Sequence, residues 1–118
     1  MPHLILEYSS NLLEKTTLSG VFKKCHVILA EMLPTEINSC ISRAIESDQY
    51  YIGEGQPNRA FIHVSLRLKT GRTFETLQKT SENILMAIKE YCEESSEKLN
   101  LHISLEVIEL GKTYFSKK

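Results

Sequence analysis

The residue best suited to acid–base chemistry is Pro2, which follows Met1 and leads directly into the apolar segment 3–8. A methionine before so small a residue is normally removed, and its removal would leave Pro2 with a free secondary amine. The proline ring fixes φ and so orients the nitrogen lone pair. Pro2 is therefore a candidate general base, although proline is also a common second residue without any catalytic role.

Arg43 and Arg72 are candidate anion-binding residues. A guanidinium group binds a carboxylate bidentately and keeps its charge, and cations near Pro2 would help to lower the pKa of its amine. Arg72 follows a glycine in a turn before a predicted helix, where backbone amides can also bind an anion. Each arginine could equally be a surface residue or form an ion pair at a strand end.

Two histidines are interpreted as structural. His63 lies in the middle of a predicted strand among apolar residues, which favours a hydrogen-bonded structural role over catalysis, even though imidazole titrates near neutral pH. His3 directly follows Pro2, but successive side chains of a strand point to opposite faces. We therefore expect the His3 side chain to lie on the other face from Pro2, and neither histidine is assigned to the site.

Composition excludes several classes of protein. The chain has 118 residues, enough for one domain over 1–118, with 42% hydrophobic and 25% charged residues. A net charge of −1 with scattered cations argues against nucleic-acid or membrane binding, and no apolar run approaches the roughly 18 residues of a membrane span. Without signal-peptide features, a cytoplasmic location is expected.

Cys25, Cys40 and Cys92 lack the spacing of a metal site or disulfide framework, so reduced thiols and no metal are expected.

The first half of the chain predicts a strand, a helix and a further strand. Residues 2–8 alternate as in a strand. An amphipathic helix that ends at Pro34 is indicated by apolar residues at steps of three and four, namely Leu18, Phe22, Cys25, Leu29 and Met32. Residues 37–52 predict one or two short strands, and a turn rich in glycine follows at 53–58.

The second half repeats this plan. Residues 60–68 alternate clearly, Thr73 is a candidate N-cap, a long helix is predicted to continue to about Asn100, and residues 101–108 predict a last strand. Two βαβ halves, about 1–58 and 59–118, should therefore form one four-stranded mixed sheet of the α+β class, with both helices on one face. The other face should be covered by a second copy of the chain. Alternation alone does not decide whether it carries Phe61 and His63 or the residues between them.

Several segments, in their order and spacing, resemble the tautomerase superfamily and, within it, the 5-carboxymethyl-2-hydroxymuconate isomerases. The matching segments are Pro2-His3-Leu4-Ile5-Leu6-Glu7, Ile41-Ser42-Arg43, Ala60-Phe61-Ile62-His63-Val64-Ser65-Leu66, Gly71-Arg72 and Leu105-Glu106-Val107-Ile108-Glu109-Leu110. The resemblance implies a tautomerase-like homotrimer without a cofactor. It also implies that Pro2 moves a proton in an unsaturated 2-hydroxy or 2-oxo acid, and that Arg43 and Arg72 bind the carboxylates of a di- or tricarboxylate substrate.

One departure from this pattern keeps other functions open. The resembled family tends to carry Arg-Ser-Arg where this chain has Ile41-Ser42-Arg43, so one carboxylate contact is missing if the first arginine binds substrate. A non-catalytic trimeric binding protein on the same scaffold is therefore an alternative. A relative with other proline-dependent chemistry, such as hydration or dehalogenation, is another, because sites rather than folds decide reactions.

Overall fold

The computed structural model describes residues 2–118, so the expected removal of Met1 lies outside the described residues. Within these residues, four strands and three helices follow one another: β1 (His3–Ser9), α1 (Leu18–Met32), β2 (Ile41–Ser47), β3 (Arg59–Lys69), α2 (Phe74–Tyr91), α3 (Glu93–Lys98) and β4 (Asn100–Leu110). Short 3₁₀ turns at Lys15–Thr17 and Ile37–Ser39 lead into α1 and β2.

The strands form one mixed sheet in the order β2-β1-β3-β4. β1 runs parallel to β2, β3 runs parallel to β4, and the two central strands β1 and β3 are antiparallel. The predicted four-stranded mixed sheet of the α+β class is therefore confirmed. His3 pairs with Ile41 on one side and with Arg67 on the other, so β1 and β2 begin at the same end of the sheet at which β3 ends.

The core lies between one face of the sheet and the helices. It is built from alternate residues of β1 and β3 and from apolar side chains of α1 and α2, of which Leu4, Leu6, Leu29, Ile62, Val64, Leu66, Ile84 and Ile88 are fully buried. Paired residues on neighbouring strands share a face. The opposite side, called the open face below, therefore carries His3, Ile5, Glu7, Ile41, Arg43, Ile45, Phe61, His63, Ser65, Arg67, Ser104 and Glu106.

Two boundaries differ from the sequence-based expectation. The long helix predicted to reach Asn100 ends at Tyr91, and α3 begins after Cys92. The Glu14 carboxylate stabilises the separate start of α3, because it accepts hydrogen bonds from the Ser95 amide at 3.0 Å and the Ser95 hydroxyl at 2.6 Å. The stretch 37–52 contains the single strand β2 rather than two strands.

Thr73 caps α2 as predicted, since its hydroxyl oxygen accepts a hydrogen bond from the Thr76 amide at 3.1 Å. Thr73→Ala should lower the free energy of unfolding by about 1 kcal/mol, because one amide at the helix start loses its acceptor. Urea denaturation monitored by circular dichroism measures the effect. Thr70→Ala in the preceding turn is the control, and equal stability of both variants would show that the cap contributes nothing.

Candidate active site

Pro2 is buried at the start of β1. Its carbonyl oxygen accepts a hydrogen bond from the Ile41 amide at 3.0 Å, which opens the ladder between β1 and β2. Strand alternation puts Pro2 on the same face as Leu4, toward the helices. The residue predicted to be a base thus lies where β1 and β2 begin, between an apolar core and the end of the sheet.

Arg43 lies on the open face, two residues into β2. Its Nη1 atom is 3.4 Å from His3 Nδ1, and His3 Nε2 is 2.9 Å from the Tyr114 hydroxyl oxygen. Burial, followed by the charge of Arg43, lowers the pKa of His3 below its usual 6.5, so the imidazole is neutral at pH 7. Because a guanidinium can only donate, Nδ1 accepts, and Nε2 carries the proton that is donated to Tyr114.

Arg72 lies on the other side of the sheet, at the end of α1. Its Nη2 donates to the Leu33 carbonyl at 3.3 Å and its Nη1 to the Lys69 carbonyl at 3.2 Å. The guanidinium is half-buried, and these contacts use two of its five N–H donors. Arg72 is therefore held in place by backbone atoms, close to where β3 ends beside the start of β1.

The three predicted site residues lie at one end of the sheet but not in direct contact. Arg43 is on the open face, whereas Arg72 and Pro2 are on the helix side. Among residues 2–118, the hydrogen bonds described for the two guanidinium groups go to His3, Leu33 and Lys69 rather than to each other. The two arginines thus flank the start of β1 from opposite faces.

A cleft of about 900 Å³ opens at this end of the sheet. It is lined by the start of β1 and β2, by the 3₁₀ turn and by the C-terminal segment, through His3, Glu36, Asn38, Ser39, Ile41, Tyr114, Ser116, Lys117 and Lys118. No periodicity or motif of the sequence marks this C-terminal segment, and the contact between His3 and Tyr114 joins residues 111 positions apart.

The other candidate groups have structural surroundings. His63 Nδ1 is 2.7 Å from Ser104 Oγ and its Nε2 is 3.0 Å from Glu106 Oε1, which agrees with the predicted hydrogen-bonded role.

Burial raises the pKa of the Cys25 and Cys92 thiols to about 12, so neither forms a thiolate near neutral pH. Within the described residues, no group of three or more acidic, histidine or cysteine side chains could hold a metal ion, and no helix is long and apolar enough to span a membrane.

Comparison with known proteins gives one consistent result. The sequence model of the 5-carboxymethyl-2-hydroxymuconate isomerase family matches residues 2–118. The chain is 32% identical over 113 residues to the 5-carboxymethyl-2-hydroxymuconate Delta-isomerase of Escherichia coli, covering 96% of this chain and 90% of that protein. The crystal structure of a 5-carboxymethyl-2-hydroxymuconate isomerase from Deinococcus radiodurans R1 superimposes with a TM-score of 0.87 at 24% identity, covering 99% of this chain and 88% of that one. A fused 4-OT described as a symmetric trimer has the same fold, with a TM-score of 0.61 at 15% identity over 91% of this chain and 85% of that one.

Proposed function

This chain belongs to the 5-carboxymethyl-2-hydroxymuconate isomerase family, and on that premise we propose that it isomerises an unsaturated 2-hydroxy acid of this type with Pro2 as the acid–base group. The observation that carries the proposal is the place of Pro2, buried at the start of β1 between two arginines, in a chain that matches the family over 2–118. A base in such a position is shielded from water on the core side, and the next residue, His3, lines the cleft.

The proposed reaction moves one proton and needs no other reactant. The free amine of Pro2 takes the proton of the enol hydroxyl at carbon 2 of a 2-hydroxy-2,4-dienoate. The electrons shift along the diene to carbon 5, which then takes the proton from the protonated amine, giving the 2-oxo-3-enoate. A general base works best when its pKa lies near the working pH, and burial of Pro2 at the start of β1 favours the unprotonated amine.

The two arginines are proposed to bind carboxylates of the substrate. Arg72 is held by two backbone carbonyls, so little conformational freedom is lost when it binds. Arg43 is exposed and contacts a neutral histidine. A guanidinium on each side of the start of β1 suits an acid with a carboxylate at each end.

The test is turnover of 5-carboxymethyl-2-hydroxymuconate by protein whose intact mass shows that Met1 is absent. We expect loss of the dienol absorbance at a rate well above that of the buffer. A correctly trimmed, folded protein that binds the acid without converting it would contradict the enzyme proposal. It would favour the binding protein, for which the apolar Ile41 in the wall of the cleft is the motivating observation.

We further propose that the chain forms a homotrimer through the open face. Large apolar side chains lie there without a helix above them, away from the cleft, including Ile45, which is 51% exposed, and Phe61, which is half-buried. Most homo-oligomers have closed symmetry, and in such an assembly copies of this face can cover one another. The fused 4-OT of the same fold is described as a symmetric trimer.

Light scattering after gel filtration should give about 40 kDa at micromolar concentration, three times the 13.5 kDa of the chain. Ile45→Asp should shift the protein toward the monomer, because an unpaired carboxylate would be buried in the interface. The control is Val27→Asp on α1, where the side chain is similarly exposed at 44%. A stable monomer of the unmodified protein, or equal masses for both variants, would contradict a trimer built on this face.

A further inference from the structure

The C-terminal segment 114–118 forms one wall of the cleft that is also lined by His3, the residue after Pro2. Tyr114, Ser116, Lys117 and Lys118 lie on that side, and Glu36, Asn38 and Ser39 of the loop before β2 lie on the other. The segment therefore reaches the residue next to Pro2, although its own residues are farthest from Pro2 along the chain.

Tyr114 holds this segment at the start of β1. Its hydroxyl oxygen is 2.9 Å from His3 Nε2, and the two rings meet edge to face with their centroids 6.0 Å apart. His3 in turn contacts Arg43. A chain of contacts thus runs from the arginine proposed to bind substrate, through the residue next to Pro2, to the C-terminal segment.

The charged side chains of this cleft favour an anion. Lys117 and Lys118 bring two ammonium groups to the cleft, against the carboxylate of Glu36 and the α-carboxylate of Lys118, while His3 is neutral near pH 7. The Arg43 guanidinium beside His3 therefore leaves an excess of one positive charge. Opposite charges in a partly enclosed cleft attract more strongly than on an open surface.

We propose that Lys117 and Lys118 form a carboxylate subsite that makes the cleft selective for substrates with more than two carboxylates. This inference rests on the proposed function. Arg43 and Arg72, on opposite sides of the start of β1, account for two carboxylates, whereas 5-carboxymethyl-2-hydroxymuconate carries three. The lysines supply a third cationic position, and Tyr114 is a positioning residue that places them.

The test compares two substrates that undergo the same proton shift. One is the tricarboxylate 5-carboxymethyl-2-hydroxymuconate, and the other is the monocarboxylate 2-hydroxypenta-2,4-dienoate. The double variant Lys117→Ala/Lys118→Ala should raise KM for the tricarboxylate about 5- to 10-fold, the size expected for two partly exposed ion pairs. Neither kcat nor the KM for the monocarboxylate should change.

Two further variants separate the subsite from a general effect on the segment. Lys112→Ala removes an exposed lysine of the same region that does not line the cleft, and it should leave both substrates unaffected. Tyr114→Phe removes the hydroxyl next to His3 and should raise KM for the tricarboxylate alone. An unchanged KM in the double variant, or an equal loss on both substrates, would overturn the proposal.

A binding measurement without turnover distinguishes failure of the lysine subsite from failure of the proposed isomerase reaction. Propane-1,2,3-tricarboxylate is titrated into the protein and chemical shifts are followed by NMR. Binding should weaken about 5- to 10-fold in the double lysine variant and stay the same in Lys112→Ala. Failure of the unmodified protein to turn over either dienol would count against the proposed reaction, whereas equal affinity of all three proteins would count against the subsite.

Discussion

Pro2→Ala should slow isomerisation by about 10²–10⁴-fold, the usual contribution of a positioned acid–base group. The substitution keeps an N-terminal amine but replaces a rigid secondary amine with a flexible primary one, so some activity should remain. Steady-state rates on 5-carboxymethyl-2-hydroxymuconate measure the effect. Circular dichroism and light scattering should show an unchanged fold and mass, because the ladder bond from the Ile41 amide ends on a carbonyl that alanine also provides.

Protein that retains Met1 tests more directly than Pro2→Ala whether the free amine of Pro2 is the base. An amide nitrogen has no basic lone pair, so such protein should be slower than Pro2→Ala although every side chain of the cleft is present. Intact mass must show that Met1 is retained in the sample used. If this protein converts the dienol as fast as the trimmed protein, the amine is not the base and another group must move the proton.

The central strands could be predicted because one of their faces is buried. Ile62, Val64 and Leu66 are fully buried on one side of β3, while His63 and Ser65 are half-buried on the other. Burial therefore imposes the period of two that the sequence shows. β2 is mostly exposed on both faces, so no such constraint marks its ends, and the sequence left open whether one or two strands were present.

The break between α2 and α3 could not be predicted from local sequence. Helical spacing continues past Tyr91, and the interaction that fixes α3 comes from Glu14, 81 positions before Ser95. The Glu14 carboxylate accepts from the amide and the hydroxyl of Ser95 in the first turn of α3, so it is a long-range cap, and periodicity carries no information about it. The extended single helix was therefore the natural prediction, and tertiary contact overrides it.

Residue types and the family resemblance indicated the candidate site, but not its arrangement. Pro2, Arg43 and Arg72 were each selected for their chemistry, and they do lie at one end of the sheet. Sequence did not reveal that the two arginines lie on opposite sides, which follows from the register of β2 against β1 for Arg43 and from the contact with the Leu33 carbonyl for Arg72. Nor did it reveal Tyr114, because a single tyrosine in a polar segment has no pattern from which its contact with His3 could be inferred.

Arg72→Ala should raise KM for the dienol acid about 10- to 150-fold, equivalent to roughly 1.5–3 kcal/mol for a lost charged hydrogen bond. Arg43→Ala should have a smaller effect, because Arg43 is exposed and anchored by one 3.4 Å contact, whereas backbone carbonyls hold Arg72 in place before substrate binds. Preorganisation reduces the entropy lost on binding. The two variants are compared on the same substrate by steady-state kinetics.

Because Arg72 also joins the end of α1 to the end of β3, its loss should also lower the melting temperature. Thermal unfolding of Arg72→Ala, alongside Arg72→Lys, separates the two roles. Lysine keeps the charge but cannot bind a carboxylate bidentately, so it should recover only part of the affinity. A large loss of melting temperature with normal KM would make Arg72 a structural link between α1 and β3. A normal KM in Arg72→Ala together with a raised KM in Arg43→Ala would move the main carboxylate contact to the open face, and with it the side from which substrate approaches Pro2.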